Sequence, residues 1–214
     1  MASTSSVTVA ILCGGLGTRL GGLARDVPKP MIEVGGRPFL DYVIESFVRC
    51  GLTRIVLLTG HLGEQIEARF GDRVAYSRES SPIGTGGAVR QARALLGESF
   101  LLTYGDVYRR FDYDRFVNEH RSACLAVYDG GGNTDVANGR VTRYDKRAKL
   151  PYMDAGFCVM PSDVIDSLPP SGSFEECVFP RLAAAGDLEA EIVNHDYVEI
   201  GTPDALAHAR EVLR

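Results

Sequence analysis

Short, unbroken apolar runs alternate along this chain with segments whose apolar residues recur every third or fourth position. Residues 7–12, 55–58 and 100–103 are runs of the first kind and predict buried strands. Residues 39–50 carry Phe39, Leu40, Val43, Ile44, Phe47 and Val48, a helical spacing that Gly51 closes. Residues 63–70 and 88–96 return to the helical period. This alternation predicts an α/β fold with a mostly parallel sheet. The second half is less regular. Residues 123–128, 140–144, 157–160, 189–193 and 197–200 predict strands, with a glycine turn at 130–133 between the first two. Residues 174–185 predict a helix, and Thr202 is the expected cap of a last helix with Pro203 at its first position. Residues 1–6 are small and polar and predict a disordered start, leaving 7–214 as a single domain.

Composition narrows the function. The 214 residues are 45% hydrophobic, enough for one sizeable core. A net charge of −5 argues against a nucleic-acid partner bound on a basic face. No apolar run approaches the ~20 residues of a membrane-spanning helix, so no membrane partner is expected. The five cysteines are scattered and contain no Cys-x-x-Cys pair, which points to free thiols in a reducing cytoplasm. His61, His120, His195 and His208 are dispersed and predict surface or loop positions, not ligands or catalysts. Nothing in the pattern reports an oligomeric state.

The strongest chemical motif follows the first strand, where Leu12-Cys13-Gly14-Gly15-Leu16-Gly17-Thr18-Arg19-Leu20 forms a glycine-rich loop. A dinucleotide fingerprint would need glycine where Leu20 stands, and a P-loop would need a Gly-Lys-Ser/Thr ending that is missing. Two readings remain on the loop alone: a plain turn after a strand, or a loop that wraps a nucleoside triphosphate with backbone N–H groups. Arg19, Arg25 and Lys29 add positive charge along the same segment of an otherwise acidic protein.

That loop, followed by Asp26-Val27-Pro28-Lys29-Pro30-Met31, resembles the opening of the sugar-1-phosphate nucleotidyltransferases. Counterparts follow in order: 58–66, Pro82-Ile83-Gly84-Thr85-Gly86-Gly87, Tyr104-Gly105-Asp106, Asp154-Ala155-Gly156 and Glu199-Ile200-Gly201-Thr202-Pro203. Within the family, the chain is most similar to the D-glycero-D-manno-heptose 1-phosphate guanylyltransferase group. The resemblance implies the nucleotide-diphospho-sugar transferase fold, a single Rossmann-like three-layer α/β domain with a mixed, mostly parallel central sheet. It also implies a reaction in which a sugar 1-phosphate attacks the α-phosphorus of a nucleoside triphosphate and pyrophosphate leaves.

By the same resemblance Asp106 and Glu199 are the magnesium ligands, Glu199 standing where the family usually has aspartate. Lys29 is expected at the α-phosphate and Arg19 at the β and γ oxygens. Cys13, Gly14, Gly15, Gly17 and Thr18 would form the phosphate loop, and Pro82, Gly84, Thr85 and Gly86 the wall of the base and ribose, with Glu79 nearby. Lys146, Asp154, Gly156 and Glu175 would hold the sugar phosphate. Tyr104 and Asp154 both replace the family's asparagine, and Cys177 an acidic residue, so the acceptor side departs most from the pattern. The same mechanism with cytidine or uridine triphosphate, and a non-catalytic sugar-nucleotide sensor, are the alternative expectations.

Overall fold

The computed structural model describes residues 7–213, so the expected disordered start at 1–6 lies outside the described residues. The first half contains strands β1 (Thr8–Leu12), β2 (Glu33–Val34) and β3 (Arg37–Pro38), helix α1 (Phe39–Arg49), β4 (Ile55–Thr59), α2 (Gly63–Phe70) and β5 (Ala75–Arg78). Helix α3 (Gly84–Gln91), β6 (Ser99–Tyr104), β7 (Val107–Arg109) and α4 (Tyr113–Glu119) follow. The second half adds β8 (Cys124–Gly132), β9 (Thr134–Ala137), β10 (Arg140–Tyr144) and β11 (Leu150–Pro161). It ends with α5 (Phe174–Ala185), β12 (Glu189–Ile192), β13 (Tyr197–Glu199) and α6 (Pro203–Val212).

One nine-stranded sheet runs in the order β5-β4-β1-β6-β11-β8-β12-β10-β9. It is mixed as expected, but it is not mostly parallel. Strands β5, β4, β1 and β6 are parallel neighbours, whereas β11 runs antiparallel to both β6 and β8. The far end is held by β12 parallel to β8 and by β10 antiparallel to β12 and β9. Helical crossovers impose parallel pairing in the first half, and short turns permit antiparallel pairing in the second.

Strand alternation sorts the core into two apolar clusters. Val9, Ile11, Leu57 and Leu101 point to one side, where α1 supplies Phe39, Leu40, Val43 and Phe47. Ala10, Val56, Leu58, Phe100 and Leu102 point to the other, against Val89 of α3 and Phe174, Val178 and Phe179 of α5. Neighbouring side chains on a strand face opposite ways, so each parallel strand serves both clusters.

Several elements differ from the periodicity. Helix α3 begins at Gly84, four residues before the expected start, because its glycines hide the helical pattern. Its first turn is docked on the loop before α5: the Gly86 N–H donates to the Gly172 carbonyl at 2.8 Å, and the Gly172 N–H to the Ile83 carbonyl at 2.9 Å. The glycine turn expected at 130–133 is mostly strand, since β8 runs through Gly132. The hairpin turn is instead Asn138-Gly139, both at positive φ (53° and 71°), between β9 and β10. An Asn-Gly pair is the preferred two-residue hairpin loop, so this signal was present in the sequence. Strand β11 is twelve residues long where four were expected, interrupted by a register shift between Asp154 and Cys158. Helix α4, unpredicted, is capped by Asp112, whose Oδ1 accepts the Arg115 N–H at 3.0 Å. The cap expected on α6 is present: Thr202 Oγ1 accepts the Ala205 N–H at 3.2 Å.

Gly84 has φ +76°, and a Cβ there would lie 2.5 Å from the Gly172 carbonyl oxygen. Gly84→Ala is therefore expected to cost about 2–3 kcal/mol in the urea unfolding midpoint, from left-handed backbone strain plus the clash. Gly15→Ala, whose Cβ would meet nothing within 4 Å, is the matched control.

Candidate active site

The C-terminal ends of β1 and β6 meet the glycine-rich loop at a cavity of about 380 Å³. Open α/β sheets place ligands at this edge. The segment 13–19, Lys29, Glu79, Pro82, Gly84, Thr85, Tyr104 and Asp106 line it. Cys13 is buried, its Sγ 2.8 Å from where a Gly105 Cβ would stand, and burial pushes its thiol far up. It is wall, not nucleophile. Leu20, which excluded the dinucleotide fingerprint, is buried in the first apolar cluster and anchors the loop.

Lys29 is drawn in from the following turn. Its side chain is 10% exposed and its Nζ donates to the Asp106 carboxylate, itself 23% exposed. Arg19 is exposed and, among the described residues, has no carboxylate within salt-bridge distance. Arg25 is exposed and is not part of the cavity lining. Glu79 reaches toward the loop: its Oε1 lies 3.0 Å from a would-be Gly14 Cβ, and its Oε2 accepts the Ile83 N–H at 3.3 Å. Burial raises its pKa, with that hydrogen bond opposing.

Two expected residues stand elsewhere. Gly86 lies behind the wall, closed against the Gly172 segment. Glu199 ends β13, exposed and outside the cavity lining, with its carboxylate folded beside Gly201, which does line it. The two strand ends are nonetheless adjacent: Glu199 pairs with Val107, and the Ile200 N–H donates to the Asp106 carbonyl at 3.1 Å.

The four acceptor-side residues form a second cluster, joined to the cavity through Tyr104 and Thr85. Glu175 accepts from Tyr104 Oη, from Thr85 Oγ1 at 3.1 Å, from Ser173 Oγ at 2.5 Å and from Lys146 Nζ at 3.3 Å. Burial works against its charge, but the hydrogen bonds from Ser173 and Tyr104 outweigh it and hold the carboxyl below its usual range. Asp154 accepts the Gly156 N–H at 2.7 Å and the Tyr144 hydroxyl at 3.3 Å. Gly156, at φ +74°, would place a Cβ 3.2 Å from Arg109 Nη2 and 3.5 Å from the Tyr104 ring.

Arg109 was not anticipated. It is buried, donates to the Ala155 carbonyl, and lies over the Phe157 ring at 5.2 Å. Its Nε and Nη1 find no partner among the described residues. The Val-Tyr-Arg-Arg segment gives no hint that one arginine is internal. The histidines lie at the surface or in loops as expected, but two of them are half-buried. His120 is half-buried, with Nδ1 2.9 Å from Glu189 and Nε2 2.8 Å from Glu191, and one ring nitrogen, Cys124 Sγ and a Glu189 carboxylate oxygen lie within 4.8 Å of one another. His195 is also half-buried; burial, then the Arg109 charge, lowers its pKa to about 4.

A glycine-rich loop, a lysine and an aspartate around one cavity at the edge of an α/β sheet define a nucleotide-handling architecture. Residues 8–132 match the family model described as nucleotidyl transferase, and the chain belongs to that family. It is 28% identical to D-glycero-alpha-D-manno-heptose 1-phosphate guanylyltransferase of Campylobacter jejuni over 92% of this chain and 96% of that protein. It is 31% identical to mannose-1-phosphate guanylyltransferase of Mycobacterium tuberculosis over 94% of this chain, but only 63% of that protein. The crystal structure of HddC from Yersinia pseudotuberculosis complexed with GMP-PN superposes with a TM-score of 0.83 at 26% identity, covering 97% of this chain and 100% of that one.

Burial pushes the Asp154 carboxyl up to about 6, the Gly156 hydrogen bond opposing. Between an unfolded pKa near ~3.9 and that value the folded state holds the extra proton, so stability falls as pH rises through this window. Asp154→Asn removes the charge, keeps an acceptor for the Gly156 N–H, and turns the Tyr144 contact round so that the amide N–H donates to the phenol oxygen. It is expected to gain about 1–3 kcal/mol over wild type above pH 6, and to lose that advantage by pH 4, in urea melts across pH.

Proposed function

We propose that this chain is an enzyme that transfers a nucleoside monophosphate from a nucleoside triphosphate to a sugar 1-phosphate. Guanosine triphosphate and heptose 1-phosphate are the first choices of substrate, and pyrophosphate and a nucleotide-sugar are the products. One observation carries the reading: the Cys13–Arg19 loop, Lys29 and Asp106 ring a cavity whose wall continues, through Tyr104 and Thr85, into the Glu175–Lys146 cluster. The similarity to guanylyltransferases over nearly the full chain supports the substrate classes.

In this reaction an oxygen of the sugar phosphate forms a bond to the α-phosphorus. The bridging bond to the β-phosphate breaks, and its electron pair leaves on pyrophosphate. Both reactants are anions, so catalysis rests on positioning and charge neutralisation. The N–H groups around Gly14, Gly15, Gly17 and Thr18 receive phosphate oxygens at close range. Arg19, exposed at the rim, offers a planar fork to the departing β and γ oxygens. Lys29, held at the cavity floor, neutralises the α-phosphate.

Asp106 and Glu199 are the residues that would hold a magnesium ion: both are hard oxygen donors on strand ends that are backbone neighbours, with Glu199 turning in from its exposed position beside Gly201 and Asp106 exchanging Lys29 for the ion. When bound, the ion supplies charge compensation to the phosphate oxygens. Glu79 Oε1 accepts no hydrogen bond from the described residues, and a free carboxylate oxygen suits the adjacent N–H donors of guanine's pairing edge. Residues 7–214 are taken as one three-layer domain, supported by apolar clusters on both faces of a single sheet. Five free thiols, and no described helix long and apolar enough to cross a membrane, support a cytoplasmic setting.

A matrix of the common triphosphates against sugar 1-phosphates, scored for pyrophosphate, tests the reading. Release is expected only when both substrates are present with magnesium, and nucleotide binding without release would point to a sensor. Asp106→Asn is expected to lose at least about a hundredfold in turnover with an unchanged circular dichroism spectrum, and full activity would remove the metal assignment. Glu79→Gln is expected to raise the KM for guanosine triphosphate by about tenfold and to narrow its advantage over cytidine and uridine triphosphates.

A further inference from the structure

Glu175 presents a contradiction if it is to contact a sugar. A carboxylate has about four acceptor positions. Here Tyr104 occupies Oε1, while Thr85, Ser173 and Lys146 converge on Oε2. Oε2 is thereby saturated, and burial of the side chain shields the position left on Oε1 from a substrate hydroxyl.

Two of its partners, Tyr104 and Thr85, line the cavity. Tyr104 lines the cavity one residue before Gly105-Asp106, and its ring lies against Gly156. The phenol has one proton, and that proton is donated to Glu175. Tyr104 therefore contributes its ring to the cavity wall, and its phenol oxygen, with the proton committed, can serve a ligand only as an acceptor. Lys146 spends two hydrogen bonds on Ser173 and Glu175, and its third N–H remains.

We propose that Tyr104 is the acceptor-selecting wall of this site and that Glu175 is a positioning residue that aims Tyr104 and Lys146. The inference rests on the nucleotidyl-transfer reading and deepens it. The acceptor it selects is a sugar phosphate that lays a C–H face on the ring and donates one hydroxyl to the phenol oxygen. An asparagine at this position would both donate and accept, and would read hydroxyls without the ring's shape constraint.

Initial rates with guanosine triphosphate and the heptose, mannose and glucose 1-phosphates separate the roles. Tyr104→Phe keeps the ring and loses the oxygen: the KM for the acceptor is expected to rise about fivefold to tenfold, with the KM for guanosine triphosphate within about twofold. Glu175→Ala is expected to raise the acceptor KM at least as much, and Glu175→Gln, whose amide oxygen still accepts from Tyr104, to recover part of the loss. Tyr104→Asn is expected to reorder preference among the three acceptors. Should Glu175→Ala fail to fold, Glu175→Gln and Tyr104→Phe give the same split. An unmoved acceptor KM, or equal rises for both substrates, overturns the assignment while leaving nucleotidyl transfer standing. Absence of pyrophosphate from wild type on every pair overturns the underlying activity itself.

Discussion

The contact between Lys29 and Asp106 ties the loop after β1 to the end of β6. Both side chains are largely withdrawn from water, so desolvation offsets much of their attraction and the pair adds little net stability. Its value is registration. It fixes where the long 13–31 segment lies over the sheet edge, and Leu20 completes the anchoring from the apolar side. Without that closure the glycines of the loop would have no defined partner across the cavity.

The sheet divides labour along the same line. Its parallel half brings the ends of β1 and β6 together and opens the cavity between them. Its antiparallel half brings β11 beside β6, so the Asp154–Gly156 bend lies next to Tyr104. Tyr104 belongs to both halves. Buried polar groups around that bend are costly: burial raises the Asp154 pKa, and two Arg109 nitrogens find no partner among the described residues. Such costs persist where surrounding structure over-determines a geometry, and here they gather around one bend. Under the proposed reading, that bend faces the acceptor.

Much of this arrangement was legible in the chain because it is local. Apolar runs located β1, β4 and β6, and three-four spacing located α1 and α2, since side-chain periodicity follows directly from backbone geometry. The glycine-rich loop and Asp106 were found by residue type and order, and the structure gathers most of the expected nucleotide-side residues around one cavity. Helix α3 escaped because glycines carry no periodic signal, and the Asn138-Gly139 turn because the glycines at 130–132 carry a competing turn signal.

What the tertiary structure alone decided are the pairings between distant positions. Sequence order could not show that Glu175 spends its acceptor capacity on Tyr104, Thr85, Ser173 and Lys146, or that Arg109 is internal. Nor could it show that His120 lies between two glutamates of β12. The physical reason is the same in each case. Residue type states which bonds a group can make, while strand register and burial decide which of them remain for a ligand.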